Sequence, residues 1–190
     1  MGAEPGDMDA VMLVFSTNWG WVGISVGSRG LLATTLPKNS RREALDVLLR
    51  QCPLAQEGLT PLLEGLRQGL ERYFLGQRVG FCDEVLDTHR ATGFESRVWE
   101  VVRKIPFGQV RSYGWVAAQA GSPQAARAVG RAMAVNPMPI VIPCHRVVGH
   151  KGQLTGFGGG LVMKRRLLDL EAGQGTWQLQ GTRPTLTSAA

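Results

Sequence analysis

Cys144 and His145 stand side by side in the run Pro143-Cys144-His145-Arg146, and their types could do covalent chemistry. A thiol becomes a strong nucleophile when a base or a positive field brings its pKa from about 8.5 toward neutrality. Neighbours in sequence rarely pair well by direct side-chain contact. His145 would therefore act on the sulfur through a bridging water, with an acid from elsewhere fixing its tautomer. The residues alone leave an alternative open, in which Cys144 is a buried structural thiol. Cys52 and Cys82, the other two cysteines, read as ordinary buried thiols. Three widely spaced cysteines make no disulfide framework and no C-x-x-C pair, so even with His89, His145 and His150 in the chain no metal site is expected.

The elements that must position this pair can be read from spacing. Residues 12–36 alternate short apolar runs (MLVFS, WVGISV, LLATTL) with turn formers such as Thr17-Asn18-Trp19-Gly20 and Gly27-Ser28-Arg29-Gly30, which predicts an antiparallel meander. Two helices should follow, over 42–51 and from Thr60-Pro61 to about Phe74, the second with Leu62, Leu63, Leu66, Leu70, Tyr73 and Phe74 on an apolar face. Residues 76–87 read as a strand or extended linker. The second half reads as mostly helical: 95–104 closed by Pro106, then 115–120 and 124–134 around the turn Gly121-Ser122-Pro123, in the shape of a helix-turn-helix. Ala125, Ala126, Ala128, Gly130 and Ala132 make the later of these helices rich in small residues, fit for close approach to another surface, whether DNA or a neighbouring helix. After Asn136-Pro137-Met138-Pro139 come the apolar run Ile140-Val141-Ile142, the Cys-His pair, a glycine-rich loop and a last helix over 161–171. The expected fold class is α+β: a small N-terminal sheet-and-helix domain (1–90), a mostly helical domain with the helix-turn-helix (91–173), and a frayed tail (174–190).

Charge divides the chain in the same way. Residues 1–93 hold nine Lys/Arg and eleven Asp/Glu, a net of −2, whereas residues 94–190 hold twelve and four, a net of +8. A basic half suggests a face that meets a polyanion, most simply nucleic acid, although a solvated basic surface would give the same count. No apolar run approaches a membrane span, and the acidic start Met1–Asp9 does not read as a secretory signal. A cytoplasmic protein (nuclear in a eukaryote) is expected.

The second half resembles the O6-alkylguanine-DNA alkyltransferases, the methylated-DNA–protein-cysteine methyltransferases. The resemblance is carried by Asn136-Pro-x-Pro followed by Ile-Val-Ile-Pro-Cys-His-Arg-Val-Val, by Phe94-Glu95-Ser96-Arg97-Val98-Trp99, by Ile105-Pro106-Phe107-Gly108-Gln109-Val110 with Ser112-Tyr113, by Ala125-Ala126-Arg127-Ala128-Val129-Gly130, and by the glycine loop through Lys164 to Glu171. The first half matches only in general shape.

The resemblance implies that Cys144 accepts the alkyl group, that His145 is its general base through a water, that Glu171 orients His145, and that Tyr113 donates to the guanine ring. It implies a thioether product, single turnover and no cofactor. The partner would be double-stranded DNA carrying O6-alkylguanine (O4-alkylthymine is a further possible substrate), approached from the minor groove by a monomer, with the base flipped out. Arg127 would fill the gap, and Ala126, Ser112 and Gly130 would lie against the DNA. Asn136 reads as a structural hinge. Val147, Met133, Phe157 and Gly158 would wall the base pocket. Phe157 stands where some members carry tyrosine, and Gly158 replaces a serine or alanine, which implies a roomier pocket tolerant of larger alkyl groups. Cooperative assembly on DNA is left open.

Three rivals share parts of this pattern. A non-catalytic lesion sensor of this fold carries another residue, often tryptophan, at the position of Cys144. A transcriptional regulator would add a domain with metal-binding cysteines. A thiol hydrolase would leave the helix-turn-helix and the basic half unexplained.

Overall fold

The computed structural model describes residues 9–173, together with the backbone of Gln178–Leu179. The meander forms as its alternation predicts. Strand β1 (Val11–Thr17) pairs antiparallel with β2 (Gly20–Gly27) around a two-residue turn, and β3 (Gly30–Thr34) pairs with β2. Helix α1 (Arg41–Gln51) starts on the Ser40 cap. Strand β4 (Gln56–Glu57) then adds in parallel to β1, giving the order β3-β2-β1-β4. Helix α2 (Pro61–Phe74) starts on Thr60, whose side chain accepts the Leu63 N–H, with Pro61 in the first turn, where its missing N–H costs nothing. The two-residue period of β1 sends Met12 and Val14 to one core with Ala44 and Leu48 of α1, and Phe15 to the other with Leu66, Leu70 and Tyr73 of α2.

The outer edge of β3 anchors the second half of the chain. Leu31 N–H donates to Val85 O (2.8 Å), and Asp87 N–H donates to Leu31 O (2.8 Å). Gly30 is required here: its φ is 120°, and a Cβ would lie 2.3 Å from Val85 O. Residues 76–87 therefore cover the edge as turns with a single bridge, Leu31 to Leu86, rather than as the strand considered from sequence. Farther along, Thr34 N–H donates to Pro137 O (3.0 Å) and Thr34 Oγ1 to Pro139 O (2.6 Å). The N-terminal sheet thus holds the segment that leads to Cys144.

Helix α3 (Gly93–Arg103) opens with a capping box between Thr92 and Glu95. Strand β5 (Gln109–Ser112) leads into α4 (Tyr113–Gln119), and α5 (Ala126–Ala134) follows after a tight break, two residues later than expected. A 3₁₀ turn (Cys144–Arg146), strand β6 (Val147–Val148) and α6 (Gly160–Ala172) complete the half. The second half also carries a small sheet that periodicity did not show, because its strands are four residues or fewer. In it β5 lies between β6 and β7 (Gln178–Leu179), both parallel to it. Strand β7 corrects part of the frayed-tail expectation, since β5 offers it an edge to pair with; the rest of 174–190, like the first eight residues, lies outside the described residues.

One buried apolar cluster runs from Phe15 of β1 through α2, α3, α4 and α5 to Leu167 of α6. A polar link crosses it, Trp99 Nε1 donating to Ala132 O (3.0 Å), and at its surface the exposed Arg166 guanidinium lies 3.7 Å from the Trp19 ring centroid. Among the described residues no helix is long and apolar enough to cross a membrane.

Candidate active site

The approach to Cys144 is a held turn. The apolar run before it forms no strand; instead Ile142 N–H donates to Met138 O (2.8 Å). Ile140 sits at φ 77°, a conformation that costs a β-branched residue roughly 1–3 kcal/mol. Burial of Ile140 at 2% exposure and the Thr34–Pro139 bond hold it there. Asn136 closes the turn from inside: its Oδ1 accepts the Met138 N–H (2.9 Å), and its Nδ2 donates to Ile142 O (2.9 Å) and to Cys144 Sγ (3.2 Å). A hinge alone was expected of Asn136; the contact with sulfur is additional.

Behind the cysteine lies a buried polar cluster. His145 Nε2 is 2.7 Å from Glu171 Oε1, both side chains being fully enclosed. Arg146, immediately after His145, donates Nε to Glu171 Oε2 (2.9 Å), NH2 to Oε1 (2.9 Å) and NH1 to Ile105 O (2.6 Å). Gly108 N–H donates to Oε2 (3.0 Å), and Tyr73 Oη donates to Oε1 (2.7 Å). A carboxylate so surrounded by donors is acceptor-only, so the proton of His145 lies on Nε2. The other ring nitrogen, Nδ1, is buried with no hydrogen-bond partner among the described residues. It is the nitrogen left with a lone pair.

Burial pushes the Cys144 thiol up, against the opposing pull of the Asn136 amide and the Lys164 ammonium. Lys164 is itself buried, donates to Val147 O (2.6 Å) and Thr155 O (3.2 Å), and is pushed down by burial to about 8. Burial also lowers His145, against the raising effect of Glu171, so the ring is held neutral. Glu171 is held far below the usual carboxylate range: burial alone would raise it, and His145 and Arg146 more than offset that.

These shifts give stability a definite pH dependence. Both His145 and Glu171 have folded pKa values below their ordinary 6.5 and 4.5. A group depressed on folding contributes stability that is complete above its unfolded pKa and lost as pH falls toward the folded one. Thermal melts are therefore expected to show a Tm that falls from about pH 6.5 downward and more steeply below about 4.5. A Tm that rises on acidification through this window would contradict the assignment.

Cys144 opens on a cavity of about 480 Å³, lined by Tyr113, Ala126, Gly130, Met133, Ala134, Thr155, Phe157 and Gly158 among others. Tyr113 Oη accepts a hydrogen bond from Thr155 Oγ1 (3.2 Å), and burial raises the phenol above its ordinary 10.0, so it is protonated at neutral pH. A Cβ on Gly158 would meet nothing within 4 Å. Met133, Phe157 and Gly158 line this cavity. Val147 does not: it is fully buried, pairs with Arg111 across β5 and β6, and belongs to the core rather than to the cavity wall. Ala126 and Gly130, expected against the DNA, line the cavity as well. The Ser112 hydroxyl caps α4 by accepting the Trp115 N–H (3.1 Å). Arg127 is exposed on α5, with Arg131 one turn later.

Sequence reasoning passed over Tyr73, Arg146 and Gly108 as partners of Glu171. Tyr73 was counted only as part of the α2 apolar face. Gly108 and Arg146 lay inside quoted motifs, and a charged residue directly after the Cys-His pair was the available signal.

Residues 93–173 match the family model described as 6-O-methylguanine DNA methyltransferase, DNA binding domain. The methylated-DNA–protein-cysteine methyltransferase of Mycobacterium bovis is 53% identical over 102 residues, which is 54% of this chain and 61% of that relative, so the alignment spans less than two thirds of the relative's length. The structural match reaches farther. A Mycobacterium tuberculosis O6-methylguanine methyltransferase superposes with a TM-score of 0.68 at 36% identity, covering 85% of this chain and 92% of the other. The Mycobacterium tuberculosis OGT in complex with DNA gives a TM-score of 0.70 at 36% identity, covering 87% and 95%. With the Cys-His-Glu cluster and its cavity set in that shared fold, the chain belongs to the O6-methylguanine-DNA methyltransferase family.

Proposed function

We infer that this chain repairs DNA by direct reversal, moving the alkyl group of O6-alkylguanine to Cys144 and ending as a thioether. The observation that carries this reading is Cys144 lining a cavity of about 480 Å³, followed in the chain by a buried, neutral, carboxylate-anchored histidine. A volume of that size lies in the roughly 300–1,000 Å³ range of sites for small organic groups.

The chemistry follows from the proton positions. A thiol pushed up by burial rests protonated, so it needs a base at the moment of attack. His145 Nδ1 takes the proton through one water, and Glu171 balances the imidazolium that forms. The sulfur–carbon bond forms as the carbon–O6 bond breaks, its electron pair passing to the guanine. Tyr113, protonated, donates to the guanine ring as that charge develops. Water does not cleave a thioether, so each chain acts once.

A base in a duplex must leave the stack to reach Cys144. Helix α5 presents the exposed Arg127 and Arg131, while Ala126, Gly130 and Ala134 keep the cavity mouth low enough for a backbone to approach. We assign this face to the minor groove, with Arg127 in the space the base leaves and Ser112 near a phosphate. In this division of labour residues 91–173 bind DNA and accept the alkyl group, and residues 1–90 support them. Nucleoside analysis of a duplex carrying one O6-methylguanine tests the reading: guanine should replace the lesion in proportion to protein added. Lesion DNA recovered unchanged from a tight complex would favour a sensor.

Arg127→Ala separates base extrusion from chemistry. Losing the residue that fills the gap should slow repair of duplex DNA by about 10- to 100-fold, since extrusion costs a few kcal/mol, and leave reaction with free O6-benzylguanine unchanged. Equal slowing of both would place Arg127 in the chemical step instead. The open space at Gly158 also predicts that O6-benzylguanine reacts at all; failure at high concentration would contradict the roomy-pocket reading.

A further inference from the structure

We propose that Tyr73, brought from α2 in the N-terminal half, is a positioning residue that fixes the tautomer and basicity of His145 through Glu171. The inference rests on Cys144 being the alkyl acceptor and His145 its base.

Tyr73 is fully buried, with its ring edge-on to Phe74 (centroids 5.3 Å apart) and Phe107 (6.0 Å). A phenylalanine would serve this packing equally well. The hydroxyl is what requires explanation, because a buried polar tip left unpaired is costly. It reaches across 98 positions of sequence to Glu171 Oε1 (2.7 Å), and its oxygen lies 3.3 Å from His145 Nε2. The three atoms form a closed triangle, since Nε2 is also 2.7 Å from the same Oε1.

Only one arrangement of protons satisfies that triangle well. The Tyr73 hydroxyl donates to Glu171, and the Nε2–H points between two acceptors, Oε1 and the phenol oxygen. Were Nε2 unprotonated, its lone pair would face the carboxylate. Tyr73 thus adds a donor to the carboxylate and an acceptor to the histidine, and both keep the lone pair on Nδ1. Burial and the adjacent Glu171 charge hold the phenol protonated and suited to donate. The remaining charged or titratable groups acting on His145 are Arg146 beside it and Lys164 of α6, with Cys144 as its neighbour.

A donor on Glu171 disperses its charge and weakens its pull on the histidine proton. Tyr73→Phe keeps the ring and removes the hydroxyl, and loss of the 2.7 Å bond to the charged carboxylate outweighs loss of the longer 3.3 Å contact with His145 Nε2. The ring pKa of His145, followed by ¹⁵N NMR in the free protein, should rise by about half a unit to one unit. The acid limb of the single-turnover rate profile should move up by the same amount, so that transfer is about 3- to 10-fold slower on that limb and comes back toward parity above it. An unchanged His145 titration with only a lower Tm would overturn the proposal and leave Tyr73 a packing residue. The NMR titration needs no substrate, so failure of the parent chain to accept a methyl group would sink the functional reading separately.

Discussion

Cys144→Ser is expected to abolish alkyl transfer, by at least about four orders of magnitude, while lesion DNA still binds. In the proposed transfer the sulfur is the atom that bonds to the alkyl carbon, and a hydroxyl in its place is far harder to deprotonate and a poorer nucleophile toward saturated carbon. The change is nearly isosteric in a site 6% exposed, and Asn136 Nδ2 can donate to oxygen as it does to sulfur, so the turn should persist. Nucleoside analysis of the DNA together with a mobility-shift titration separates the two outcomes. Residual transfer within tenfold of the parent would mean that another residue accepts the group.

Glu171→Gln should be the next most damaging change, and it acts in two ways. It leaves the Arg146 guanidinium, 6% exposed, buried with no carboxylate, which costs about 3–5 kcal/mol of stability when a buried pair is broken. It also removes the acceptor-only partner of His145. A glutamine amide can donate to Nε2, which moves the ring proton to Nδ1 and blocks the base. Transfer should fall by about 10²- to 10⁴-fold, the usual range for losing a general base. Denaturant titration reads the first effect, and single-turnover kinetics on the folded fraction reads the second. A variant that is destabilised but reacts at the parent rate would leave Glu171 a structural counter-ion of Arg146.

In the proposed mechanism the raised Cys144 thiol is what calls for the neighbouring base. A resting thiolate would need no base, whereas a thiol in an apolar, enclosed site does. Lys164 and the Asn136 amide oppose the rise without cancelling it, while burial lowers His145 and keeps its ring neutral.

Much of the fold was legible in the sequence because its signals are local. Turn formers between apolar runs marked the meander, Thr60-Pro61 marked the start of α2, and the glycine-serine-proline break marked the gap between α4 and α5. Cys144, His145 and Glu171 were found through one extended motif, although residue 171 is far from residue 144 in sequence. What stayed hidden depends on contacts between distant residues. The Tyr73 hydroxyl cannot be told from its apolar ring in a helical pattern, and its partner lies 98 positions away. The β5–β7 and β5–β6 pairings involve strands too short to show a period. Residues 76–87 were ambiguous because backbone pairing with β3, rather than side-chain alternation, holds their end in place. The resemblance implies a place on the cavity wall for Val147, but it follows the 3₁₀ turn Cys144–Arg146 directly and packs in the core.

Intact-protein mass after mixing the chain with excess duplex carrying one O6-methylguanine, followed by peptide mapping, tests the central claim most directly. The account predicts one added methyl group per chain, located on Cys144, and no further gain with more substrate. A protein of unchanged mass that binds the lesion duplex tightly, or a methyl group on any other residue, would contradict it.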